Sequence, residues 1–311
     1  MRAVRNTSDG IHVADVAEPE GEGVVVDVRA AGICGTDLRL VAQGYRGVTL
    51  GHEIAGVLTD GTAVVIEPAL PCGACLPCER GDEQLCETYF QRFYGVGLDG
   101  GMADRVVIAE QCLVTLPTSI PLADASLVEP VGVCVHGMVR VGVENGMRVA
   151  VIGGGSIGLC AVVAAQAAGA DVDLVARHDA QRAAGEALGA GSAITPHYDV
   201  VVDAAGSSSA LAEGTGLCRP GGALLLLGSY FDTVELPGLL VTTREVSVVP
   251  ASTYGHSAAG RDIDAAVAIL ARRLDLAPAV ITHRFGLDEA PEAFRVAQDR
   301  AAGAIKVVLE P

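Results

Sequence analysis

A thiol, an imidazole and a carboxylate stand close together in this 311-residue chain, in the stretch AAGICGTDLRLVAQGYRGVTLGHE from Ala30 to Glu53. They belong to Cys34, His52 and Glu53. These are the donor types zinc prefers, and a catalytic zinc site uses three protein ligands while leaving a fourth position open. Gly32, Gly35, Gly44, Gly47 and Gly51 let the backbone turn tightly beside such a centre. Alone the set says little, because a Cys in an apolar run is usually a small core residue. Its weight comes from what accompanies it.

A second cysteine group lies at Cys72, Cys75, Cys78 and Cys86, in PCGACLPCERGDEQLC. The spacing is C-x2-C-x2-C-x7-C, with Pro and Gly bending the loop between the thiols. Two residues between thiols let both sulfurs face one ion, and four thiolates complete a closed tetrahedral structural zinc site. A merely Cys-rich loop and an iron–sulfur centre are the competing readings. From Arg148 the pattern changes to RVAVIGGGSIGLCAVVAAQAAGA. A short apolar strand ends at Ile152. Gly153, Gly155 and Gly158 then form G-x-G-x-x-G, with Ser156 and Ile157 inside it, and an Ala-rich helix follows. The first glycine turns the chain, the second admits a pyrophosphate, and the third packs helix on strand. Backbone N–H groups at the helix start face the diphosphate. The strand-then-helix context makes this a dinucleotide site.

The elements that must position these groups fall into two kinds. Alternation in residues 24–30, 63–68 and 104–110 predicts strands broken by Gly, Pro and Asp turns, hence a small β-rich domain. After the glycine fingerprint, strands at 172–176, 199–204, 223–228 and 245–252 alternate with helical segments, and 261–274 carries an apolar stripe. The turn CRPGG (218–222) separates two of the strands. That alternation predicts a parallel, doubly wound sheet. The fold class is therefore α/β, a Rossmann sheet beside an irregular β-rich catalytic domain. A net charge of −17 argues against nucleic acid or an anionic membrane as partner. It suits a substrate with little negative charge, and an anionic cofactor then needs a local cationic spot. The start, MRAVRNTSDG, lacks the apolar core of a signal peptide. Apolar runs such as 223–228 fall short of the roughly 20 residues a membrane span needs. A cytoplasmic protein is expected, whose nine cysteines are metal ligands and core residues rather than disulfides. Cys112, Cys134, Cys160 and Cys218 fit the core, and His136 reads as a structural histidine.

Taken in order, GICGTD, GHE, the four-cysteine lobe, DGGMADRVV (99–107) and LVEP (127–130) resemble the zinc-dependent alcohol dehydrogenase branch of the medium-chain dehydrogenase/reductase superfamily. The resemblance implies a GroES-like catalytic domain over 1–130 with the zinc lobe at 72–86. An NAD(P)-binding Rossmann domain over 131–250 follows, then a return to the catalytic domain over 251–311. In the polyol, threonine and glucose dehydrogenase subgroup the third zinc ligand is a Glu in this -EP- context, which implies Glu129. Read by its neighbours alone, Glu129 is a helix N-terminal acid favoured by the macrodipole. Glu53 is the alternative ligand and a catalytic candidate. Thr36 resembles the hydroxyl that takes the substrate proton. Arg39, which does not deprotonate, replaces the histidine that often ends the relay, so the proton leaves by water or the cofactor ribose. Asp37 holds Arg39 or binds a substrate hydroxyl.

Laid on the family pattern, LVARHDAQR puts Arg177 where NAD enzymes carry an acidic residue for the ribose 2′-OH, with His178 and Arg182 after it. A guanidinium there suits a 2′-phosphate, so NADP is preferred. NAD stays open because Asp179 could reach the ribose and Arg177 could be a surface charge. Lys306 is a candidate for the cofactor pyrophosphate or a surface lysine. Tyr45, Phe90, Phe93 and Tyr94 line the cleft or simply pack. The chain looks short for the family, with a compressed segment at 56–68. Relatives pair at a sheet edge, here near Pro250, which implies a homodimer or homotetramer. The expected activity is zinc-dependent hydride transfer between NADP(H) and a secondary alcohol, polyol or sugar-like substrate. A specialised biosynthetic carbonyl reductase and a non-catalytic NADP- and zinc-binding protein are the alternatives.

Overall fold

The computed structural model describes residues 1–257, 260–299 and 303–311. The chain forms two compact units: Met1–Glu129 with Gly255–Ala271 and Ile281–Pro311, and Pro130–Tyr254 with Arg272–Val280. The crossings fall at Glu129/Pro130 and Tyr254/Gly255, a few residues from the expected boundaries. Arg272–Val280 belongs to the second unit rather than to the returning segment. The reason is burial: Leu276 and Val280 are fully buried, in a short helix packed on the helices Ser156–Ala167 and Asp179–Ala187.

The first unit is built on a seven-stranded sheet. Its long strand Val24–Ile33 pairs antiparallel with Glu53–Val57 on one side and with the C-terminal strand Lys306–Glu310 on the other. Val26, Val28, Ala31, Ile54, Ile66, Val307 and Leu309 from these and neighbouring strands form one buried cluster. The register sets Gly32 opposite Glu53. A Cβ on Gly32 would stand 1.8 Å from Glu53 Oε2, so only glycine leaves room for that carboxylate.

In the second unit five strands lie parallel. Their order is Ser247–Pro250, Cys218–Leu226, Tyr198–Asp203, Arg148–Ile152 and Asp171–Val175. The fingerprint strand Arg148–Ile152 thus has the second strand on one side and a later strand on the other, the switch point at which such sheets bind dinucleotides. Among the described residues, the stretch between Ala187 and Tyr198 adds only a single bridge, Asp173 to Gly191. Residues 219–222, expected as a turn, bulge out of the strand Cys218–Leu226, whose register jumps there. One helical run, Leu122–Val141, is long and apolar enough to cross a membrane, yet most of it is buried inside the protein, as a core helix is.

Candidate active site

Cys34 directly follows the strand Val24–Ile33 and caps the helix Gly35–Ala42, while His52 directly precedes the strand Glu53–Val57. Strand pairing therefore brings the two segments together. Donor atoms of Cys34, His52 and Glu53 lie within 4.8 Å of one another. Asp37, in the first turn of the helix, ties this set down. Its Oδ2 accepts from Cys34 N at 2.8 Å, and its Oδ1 stands 3.4 Å from His52 Nδ1. Asp37 is wholly buried and His52 nearly so. Phe93 packs beside the imidazole, ring centroids 5.7 Å apart, as an apolar wall.

Burial by itself would lower the His52 pKa, but the charges of Asp37 and Cys34 together raise it well above its ordinary value. The surroundings thus favour positive charge at this point, which a divalent cation would supply. The donor chemistry fits zinc: a thiolate, an imidazole whose second nitrogen faces a carboxylate, and a further carboxylate. Carboxylates beside metal-binding imidazoles fix ring orientation in this way. The sequence suggests Arg39 or a substrate hydroxyl as the partner of Asp37; the structure adds Cys34 N and His52, which set it behind the ligands. The signal was present, since Cys-Gly-Thr-Asp has an acid at the third helical position, where a capping residue reaches back to the N-cap N–H.

Lys306 corrects a second expectation. It is neither at the surface nor free to reach a diphosphate, being only 3% exposed. Its ammonium donates to Glu53 Oε1 and Oε2 at 2.5 and 2.7 Å and to Ile33 O at 3.1 Å, using all three protons. Burial would lower its pKa, but Glu53, Cys34 and Glu129 outweigh that and raise it above the ordinary lysine value. Glu129 lies buried in the first turn of the helix Val128–Val141 and outside the tight donor set, close enough for its charge to act on Lys306. Two carboxylates thus flank the site, and Lys306 already grips one of them. Thr36 is half-buried in the helix turn between Cys34 and Asp37.

The four-cysteine lobe is assembled as well. All four thiols are free, and their sulfurs lie within 4.8 Å of one another. Cys72 to Cys78 is 3.9 Å and Cys75 to Cys78 is 3.4 Å. A Zn–S bond of 2.3 Å in tetrahedral geometry places sulfurs about 3.8 Å apart. Backbone N–H groups of Cys72 and Ala74 donate to Cys86 Sγ and Cys72 Sγ. Hydrogen bonds to its sulfur from the backbone of Glu87 and Cys78 lower the Cys75 pKa. Burial pushes Cys86 up, but Thr88 and the Cys72 N–H bring it down to about 6. Cys78, desolvated among the others, is pushed up to about 12. Such a crowd of sulfurs fits one divalent cation.

In the second unit, Gly153 has φ +106° and Gly158 approaches it so closely that a Cβ would stand 1.7 Å from Gly153 O. Gly155 caps the helix Ser156–Ala167, and Ser156 and Ile157 form its first turn. Past the second strand, Arg177 donates to Ser209 Oγ at 3.1 Å. His178 caps the next helix. Arg182 is occupied with Ala176 O and Arg177 O at 3.0 and 2.8 Å and pairs with Asp179. The carboxylate that could have favoured NAD is thereby turned toward a cation. Of the aromatic candidates, Tyr45 donates to Val96 O, Tyr94 accepts from Ala109 N, and Phe90 is exposed.

Comparison with known proteins agrees with this arrangement. Residues 20–118 match the alcohol dehydrogenase GroES-like domain family. The chain is 30% identical over 299 residues to "Probable D-xylulose reductase A" of Aspergillus terreus, covering 83% of this chain and 82% of the relative. Galactitol-1-phosphate dehydrogenase of Escherichia coli superposes with a TM-score of 0.88 at 28% identity over the full length of both chains. A protein assigned as a zinc-binding dehydrogenase from Sinorhizobium meliloti 1021, solved bound to NADP, gives 0.86 at 28% identity, covering 100% of this chain and 99% of the other.

Proposed function

Since this chain belongs to the zinc-dependent alcohol dehydrogenase family, in the polyol dehydrogenase subgroup of the medium-chain dehydrogenase/reductases, we propose that it moves hydride between NADP(H) and a secondary alcohol, polyol or sugar-like substrate. The observation that carries this reading is the buried Cys34–His52–Glu53 donor set with Asp37 behind the imidazole, in a chain that also folds a dinucleotide fingerprint. When bound, zinc would act as a Lewis acid that lowers the substrate hydroxyl pKa and polarises the corresponding carbonyl.

The residues of the chain do the rest. Cys34 and His52 would hold the metal, with Glu129 as the third ligand and Glu53, which Lys306 grips and which lies nearer the other two donors, as the alternative. Thr36 accepts the hydroxyl proton. Lys306 holds Glu53 with two hydrogen bonds, and Glu129 lies close enough for its charge to act on the same ammonium. Gly153, Gly155 and Gly158 admit the diphosphate, Ser156 and Ile157 offer backbone N–H groups, and Arg177 receives the 2′-phosphate. The four-cysteine lobe holds a second, structural zinc. A second copy would continue the parallel sheet at its edge strand Ser247–Pro250, giving a homodimer or a homotetramer.

The test is reduction of NADP⁺ and NAD⁺ followed at 340 nm over polyols, aldoses and simple secondary alcohols. Turnover with a polyol and preference for NADP⁺ is the expected result. Tight cofactor binding without turnover on any of these would favour a narrow biosynthetic carbonyl substrate. NAD⁺ preference would remove the role given to Arg177.

A further inference from the structure

Arg177 follows the second strand of the parallel sheet, and Ser209 sits in the first turn of the helix Ser208–Leu217, after the strand Tyr198–Asp203. The fingerprint strand Arg148–Ile152 lies between those two strands. The 3.1 Å bond from Arg177 Nη2 to Ser209 Oγ therefore bridges across the end of the strand that delivers the glycine loop. Ser209 Oγ is in turn 3.2 Å from Ser207 Oγ, and Ser207 caps the helix by accepting from Ala210 N at 3.3 Å. The guanidinium is thus tied to a helix framework rather than left to its own rotamers. Among the described residues no carboxylate pairs with Arg177, although the chain carries a net charge of −17. Arg182 nearby is already occupied by Asp179 and two carbonyls. Arg177 is the cation in this corner that keeps donors for an anion.

We propose that Ser209 is a specificity-determining residue: its hydroxyl positions Arg177 and joins it in receiving the 2′-phosphate of NADP. The inference rests on the cofactor reading above. Arg177 and Ser209 approach the phosphate from two different strands, which fixes the direction of the guanidinium fork. Losing the hydroxyl frees the fork and removes one donor, while a cofactor without the 2′-phosphate never meets either group.

The test measures dissociation constants for NADP⁺ and NAD⁺ by calorimetry on the wild type, Ser209→Ala, Ser209→Thr, Arg177→Ala and the double variant. Ser209→Ala should weaken NADP⁺ about tenfold, the size of one hydrogen bond to a charged group, and NAD⁺ by less than about twofold. Ser209→Thr, which keeps the hydroxyl, should regain most of the loss. In the Arg177→Ala background the serine change should matter little. Equal weakening of both cofactors by Ser209→Ala, or no change in a wild type that prefers NADP⁺, would overturn the proposal and leave the NADP reading standing. A wild type with no preference for NADP⁺ would overturn both.

Discussion

Replacing Lys306 with Met removes one charge from a buried pair and keeps most of the volume. Lys306 and Glu53 are 3% and 1% exposed, and the ammonium makes two short hydrogen bonds to Glu53 and one of ordinary length to Ile33 O. Removing one partner of such a pair costs about 3–5 kcal/mol, because the other charge stays buried and uncompensated. In a folding unit of this size each kcal/mol moves the melting midpoint by about 2–4 °C, so the midpoint should fall by about 6–20 °C. The sign with pH follows from the raised lysine pKa. A group whose pKa is raised on folding contributes its stability in full below the unfolded value and loses it as pH rises through the folded value. The deficit of Lys306→Met should therefore be flat from about pH 6 to 9 and shrink only above about pH 10.5. The double variant Glu53→Gln/Lys306→Met leaves no lone charge and should recover part of the loss. Thermal melts of metal-free protein read stability, and calorimetry reads NADP⁺ affinity, which should change little. Unchanged stability with a large loss of NADP⁺ affinity would refute the buried-pair reasoning and return Lys306 to the diphosphate.

Other consequences are equally concrete. Asp37→Asn keeps the fold's shape but removes the carboxylate behind His52, and zinc affinity measured by competition with a chromophoric chelator should drop about 10–100-fold. Gly32→Ala drives a methyl into Glu53 Oε2, so urea unfolding should show a loss of at least about 1–3 kcal/mol, the overpacking range. Cys75→Ser should lower the zinc content from two ions to one per chain by elemental analysis and open the loop at residues 72–86 to protease, with the Cys34 site still loaded.

What could be read from the sequence was local. The spacing of Cys72, Cys75, Cys78 and Cys86 lies within one loop, and the glycine fingerprint lies within one strand–turn–helix unit, so each carries its own geometry. The strands expected at 24–30, 63–68 and 104–110 form at Val24–Ile33, Ala63–Ile66 and Arg105–Ile108. The partnership of Lys306 with Glu53 spans most of the chain and depends on Lys306–Glu310 pairing beside Val24–Ile33. No local pattern encodes that register, so from sequence a lone lysine opening an apolar strand looks like a surface or phosphate-binding group. Asp37 was legible as a helix cap, but not as the residue that also meets His52, because His52 arrives from the next strand. The place of Arg272–Val280 in the second unit is hidden for a similar reason: its apolar residues look alike in either unit until their packing partners are known.

A metal held at Cys34 and His52 is proposed to enable NADP-linked alcohol oxidation. The most direct test strips the protein with a chelator, verifies metal loss by elemental analysis, and follows NADPH formation at 340 nm with the best polyol of the panel before stripping, after it, and after zinc is restored. Activity should disappear with the metal and return with zinc in the wild type, and should be absent throughout in Cys34→Ser. Undiminished turnover by metal-free protein, or by zinc-replete Cys34→Ser, would contradict it.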